Sequence, residues 1–372
     1  DGGVMAAVTD PALKGRYFPS GLDVLAANGS ARARAHAAEK EGGMPGYLDA
    51  LDQAGKKLAE EKQAAQPSSY MRMLRAMEAL NAPPIAEAAP FAKTDAYADK
   101  NLMTASAMWA SGRHAWQLHS KQLMVARCMF PVKDLAGYIE PNPAFFEEML
   151  ALVKPTEAIL SGVPTVTSER FSNIASFIDK LSQLHAKQLK GECYTPEECR
   201  FFTRFGERLS ELQGNVMNPV DDGAMPWMAM AADVATEAQS QQCLEVAAGG
   251  AMPIYAVVPY AGQLHLVRGG VYSYFEFWQP IAERLTDDEW LKKWVHGDMM
   301  PPEWTSTFIT APLTEADAPK VDIERLILCL RYGLKPPQGK IPESKELNYF
   351  LKTALEGNTY CYCAACWIGL AM

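Results

Sequence analysis

One stretch constrains this chain more than any other: CLEVAAGGAMPIYAVVPYAGQLHLVRGGVYSYFEF, Cys243 to Phe277. It is rich in β-branched and aromatic residues and is cut by Gly-Gly, Pro-Tyr-Ala-Gly and Gly-Gly. Such side chains fit a pleated surface, and such cuts mark tight turns. The stretch therefore predicts a small antiparallel β-meander of three or four short strands. Elsewhere the spacing is helical. Leu51–Gln63 is Ala-rich and charged and reads as an exposed helix. Tyr70–Leu80 reads as a packing helix, and Ser168–Leu189 as another. Asn101–Phe130 is the longest, stopped by Pro131. Asn142 precedes Pro143 as a helix start. Thr195 and Thr286 each stand three residues before a Glu, the pattern of a capping box. A lone β patch in a helical chain makes the fold α+β, mainly α-helical.

With 372 residues the chain can bury a sizeable core, here read as one large domain over 1–372. Within it, 1–100 is a loop and helix region and 101–240 a helical core. Residues 241–310 hold the meander and a following helix, and 311–372 hold C-terminal helices and a Cys-rich tail. Asp and Glu outnumber Lys and Arg by 44 to 35, a net charge of −9. No basic block occurs, which argues against nucleic acid and anionic membrane partners. No apolar run reaches the ~18 residues of a transmembrane segment. The start DGGVMAAV lacks an initiator and a signal peptide, and reads as a piece of a longer product. Of eight cysteines, Cys193 and Cys199 are close enough for a local bridge, which points weakly to an oxidising compartment. The tail CYCAACWIGLAM offers three cysteines and no nearby His, one ligand short of a closed zinc site, so neither a metal nor a cofactor is expected.

Polar residues interrupt the longest helix at RHAWQLHSKQ. On a helix, His114, Gln117 and Lys121 share a face, while His119 lies about 140° round from His114 by the ~3.6-residue turn. The two histidines cannot chelate one metal. His114 and Lys121 could act as a general acid/base and an electrostatic stabiliser. The plainer reading is a satisfied core histidine and a paired lysine. Arg113, His114 and Lys121 on so apolar a helix should be largely buried and bonded to carboxylates or backbone carbonyls from other segments, with Glu140 and Glu276 as candidate partners. In RGGVYSYFEF, Tyr272, Tyr274 and Glu276 alternate onto one strand face, with Arg268 upstream. That face either lines a cleft for a sugar or peptide or is the wet face of a small sheet. No phosphate-binding glycine loop, dinucleotide fingerprint, serine elbow or zinc-protease motif is present.

Several phrases occur together in one order: RYFPSGLDVLAANGS (16–30), NLMTASAMWASGRHAWQLHSKQ (101–122), GYIEPNPAFFEEM (137–149), RFGERL (204–209), AADVAT (231–236), RGGVYSYFEF and RLTDDEW. Through them the chain, over roughly residues 16–290, resembles the second half of the domain-of-unknown-function 3160 family. Two departures stand out. Where the family runs LRHDTILYAKQ, Ala115 replaces the acidic residue after His114. Where the family has DVHT, Ala235 replaces the imidazole. The resemblance implies no assigned reaction, and it implies an extracytoplasmic or organellar-lumen setting. It also implies a missing front half, so the expected partner is another protein chain, with the N-terminal half of the same precursor as candidate. A large apolar surface covered by that chain should follow. The function expected is a non-catalytic structural or binding subunit. The alternative is a hydrolase-like enzyme acting on a saccharide or peptide polymer through His114, Lys121 and Glu276, with Arg113, Gln117, Arg268, Tyr272 and Tyr274 as binding groups.

Overall fold

A computed structural model describes residues 2–63, 68–116, 137–160, 168–205, 208–209, 212, 229–260 and 262–309. Its helices are α1 (Gly2–Ala7), α2 (Gly21–Ala27), α3 (Ala31–Glu41), α4 (Tyr47–Lys62), α5 (Ser69–Leu80), α6 (Asp95–Trp116), α7 (Pro143–Leu160), α8 (Ser168–Leu189), α9 (Pro196–Thr203) and α10 (Asp287–His296). Its strands are β1 (Met230–Glu237), β2 (Gln242–Tyr260) and β3 (Gln263–Pro280), antiparallel in the order β1-β2-β3. The fold is mainly helical α+β.

The helix starts follow their chemistry. Ser20, Thr195 and Thr286 are N-caps, each accepting from a backbone N–H of its first turn while an acid three residues on reaches back. Pro143 and Pro196 each stand first in their helices. Helix α4, expected to be exposed, instead buries Tyr47, Leu51, Ala54 and Leu58. Its charges occupy the outer face, except for Lys62. That ammonium is buried on the carbonyl and amide oxygen of Asn28 at 3.0 and 3.1 Å and on Glu78 at 2.5 Å.

Helix α6 runs through the middle of the domain. Residues 101–107 are all buried, because α2, α3 and α5 pack on one side and the sheet on the other. It starts at Asp95, earlier than its apolar spacing suggested. Residues 117–136, with Gln117, His119 and Lys121, lie outside the described residues.

The sheet differs from a meander of short strands. Two long strands form one hairpin that turns at Gly262, and β1 pairs only with its base, Gln242–Ala248. Neither Gly-Gly pair is a turn. Gly249 and Gly250 mark a register shift within β2, where the Trp294 indole of α10 lies on them; an added Cβ on Gly250 would sit 2.4 Å from that ring. Gly269 and Gly270 pair with Ile254 and Pro253 inside the ladder. Both faces of the hairpin base are covered. Tyr274 packs toward the helices, while Phe275 and Phe277 meet the Trp290 ring of α10 at 4.9 and 5.6 Å. The face carrying Tyr272, Tyr274 and Glu276 is thus neither wet nor an open cleft.

Candidate functional site

The last described turn of α6 reaches three other segments. Ser111 Oγ and the Tyr272 hydroxyl of β3 are 2.7 Å apart. Arg113 donates from Nε to the Asp233 carbonyl at 2.7 Å and from Nη2 to the Val234 carbonyl at 3.2 Å. Its guanidinium lies 5.9 Å from the centre of the Trp109 ring, and burial lowers its pKa. His114 Nε2 lies 3.0 Å from Asp287 Oδ2, and the other oxygen of Asp287 accepts from Ala231 N–H. Asp287 is the first residue of α10, where the unpaired amides of a helix start favour a carboxylate. The helix end is thereby pinned to β1, β3 and α10 at once.

A second polar group surrounds Glu276. Its Oε2 accepts from Gly21 N–H at 2.6 Å and from the Tyr274 hydroxyl at 2.7 Å. Gly21 opens α2, and there is no room beside it: an added Cβ would stand 2.2 Å from the Tyr274 oxygen. On the same short helix, Asp23 is fully buried. It accepts from Arg16 at 2.8 Å, from Ser20 N–H at 2.7 Å and from the Tyr47 hydroxyl at 2.5 Å. Burial raises the Asp23 pKa even so, against the pull of Arg16. Arg16 also bonds Glu41 and the Val8 carbonyl. Burial holds the Tyr272 phenol up near 12 and that of Tyr274 well above its ordinary value. Both are neutral hydrogen-bonding groups at ordinary pH.

The expected residues therefore fall into separate places. Arg113 and His114 are half-buried and have partners of the expected kind, but these are the β1 carbonyls and Asp287, not Glu140 or Glu276. Glu276 is tied to α2. Glu140 is tied to Lys100 and Tyr97, at 2.5–2.6 and 2.8 Å. Arg268 sits in β3 opposite Tyr255, and its side chain lies outside the described residues. Cys193 and Cys199 form no bridge to each other. Among the described residues no group of three or more His, Cys, Asp or Glu side chains is placed to hold a metal ion. None of the described helices is long and apolar enough to cross a membrane.

The motif that carries Arg16, Ser20, Gly21 and Asp23 and the one that carries Tyr274 and Glu276 meet at the Gly21 N–H to Glu276 hydrogen bond, although 255 positions separate the two residues. Residues 1–305 match the family described as DUF3160, protein of unknown function. The chain belongs to the DUF3160 family. The match reaches the first residue and runs beyond the phrases that first suggested it. No curated protein and no solved structure matches the chain. At the two positions where this DUF3160 chain departs from the expected pattern, Ala235 lies in β1 beside the register shift that follows Asp233, and Ala115 lies in the last described turn of α6.

Two polar centres of this DUF3160 domain escaped the sequence reading. Asp99 accepts both Arg32 Nε and Nη2, His36 and the Thr307 hydroxyl at 2.6–2.7 Å. Burial would raise its pKa, but these bonds leave it lowered. Lys100 is the second. The available signal was the charged pair Asp99-Lys100 immediately before the apolar run that begins at Asn101, and the sequence reading did not weigh it.

Proposed function

We propose that this chain is a non-catalytic structural or binding subunit of a larger assembly. The observation that carries the reading is an apolar strip on the outer half of the hairpin. There Tyr255, Val257, Leu264 and Leu266 are 61, 52, 75 and 71 % exposed. Val257 pairs with Leu266 and Pro259 with Leu264, so these side chains alternate onto one face of a two-stranded ribbon. A contiguous apolar face of that kind marks a contact surface. The partners of His114 and Glu276 support the same reading, because both side chains tie segments together and none of their described bonds joins them to each other. The extracytoplasmic or organellar-lumen setting and the partner chain belong to the same proposal and rest on the family resemblance.

Light scattering on the purified full chain tests it. The expected result is a mass above that of the monomer, which falls to the monomer in the double variant Val257→Lys, Leu266→Glu with no change in Tm. A monodisperse, cooperatively melting wild-type monomer with no co-purifying chain overturns the proposal.

A further inference from the structure

A cleft of about 670 Å³ opens between the inner face of the hairpin and the start of α6. That volume falls in the range of small-molecule sites. Its walls are apolar, from Ile254, Val258, Val267, Val271, Phe308 and Ile309. It follows β2 from Met252 to Val258, a length of about 20 Å at ~3.3 Å per residue. At one side it meets a built polar group. Lys100, with a side chain only 2 % exposed, donates to both oxygens of Glu140 at 2.5 and 2.6 Å. Glu140 is the more open partner, at 12 %. Its Oε2 also accepts from Tyr97, whereas among the described residues Oε1 accepts from Lys100 alone and keeps room for another donor. Three rings surround this end: Phe91 meets Tyr97 and Tyr138 edge-on at 5.4 and 5.9 Å. The Tyr138 hydroxyl makes no hydrogen bond among the described residues, and burial pushes its pKa to about 12, so it stays a neutral donor and acceptor.

The charge balance selects the ligand. Lys100 and Glu140 already neutralise each other, so a charged head group would be desolvated beside a pair with no net charge to offer it. A neutral hydroxyl faces no such cost and can donate to Glu140 Oε1 while accepting from Tyr138. We propose that this cleft binds an elongated, uncharged apolar molecule ending in a single hydroxyl, of the long-chain alcohol class. The cleft borders the exposed strip at Tyr255 and Val257, but its polar end at Glu140 and Tyr138 lies apart from the strip, and the proposal stands whether or not the chain assembles.

Three probes of one chain length separate the possibilities: decan-1-ol, decanoate and decylammonium, each titrated below micelle formation into the full-length protein and followed by calorimetry. Decan-1-ol is expected to bind at least tenfold more tightly than either charged probe, a ratio equal to about 1.4 kcal/mol. Ala96→Trp and, independently, Val267→Trp place a large ring in the cleft and should abolish binding while the ligand-free Tm is retained. Glu140→Gln should narrow the preference for the alcohol. Equal affinity for all three probes, no binding of decan-1-ol, or binding that survives in a cleft-filling variant that still folds would each overturn the proposal.

Discussion

Two buried titratable side chains set opposite pH dependences. Glu245 lies in β2 opposite Asp233, with both carboxyl oxygens accepting from Leu285 N–H at 3.2 and 3.3 Å. Burial, with the nearby Asp233 carboxylate, lifts its pKa from 4.5 to about 7. Between those values the folded chain holds a proton that the unfolded chain has lost, so this group's contribution to stability falls as pH rises through the window. Glu245→Gln should therefore raise Tm relative to wild type near pH 8 and change it little near pH 4.5. A uniform loss at both pH values would show that the carboxyl group's proton plays no part. His185 works the other way. It is buried with no hydrogen-bond partner at Nε2 among the described residues, and burial lowers its pKa from 6.5 to about 4. Its contribution is full above 6.5 and falls away as pH drops toward 4. Gly21 is a steric case: the methyl group of Gly21→Ala must displace the Tyr274 hydroxyl or the helix start. The expected cost is about 1–3 kcal/mol in urea unfolding.

Among the elements, helix boundaries were legible where local chemistry decides them. Thr195 and Thr286 were readable because a capping box is complete within four residues. Thr286→Ala should cost about 1 kcal/mol by the same measurement. The strands were less legible, since their lengths depend on distant partners. Gly249-Gly250 reads locally as a turn, and the Trp294 ring and the Ser273 hydroxyl packed on it explain glycines in mid-strand. Strand β1 was missed because AADVAT is rich in alanine, a poor strand former, and is held in the sheet by Leu244 and Val246 across the ladder. The same holds for the candidate site. Arg113 and His114 were visible as polar residues on an apolar helix, but their partners Asp233, Val234 and Asp287 lie 120 or more positions away. Nothing in local spacing identifies them.

At the scale of the molecule, one central helix is shared by a helical layer and a sheet whose base is covered on both faces, while the outer half of the hairpin carries an exposed apolar strip. The mainly helical α+β class was legible from texture alone. The arrangement was not, because it depends on contacts such as that between Gly21 and Glu276. That hydrogen bond also dictates an order of events during synthesis. The amide at the start of α2 leaves the ribosome 255 residues ahead of its acceptor. At ~5–20 residues per second, it waits on the order of ten to fifty seconds for that acceptor. Until then the Arg16–Asp23 network lacks the floor that β3 provides. Nascent chains arrested before residue 276 emerges should be cut readily by protease within roughly residues 1–30. Chains arrested well beyond it should resist. Early resistance in the shorter chains would mean that the N-terminal helices fold without waiting for the sheet.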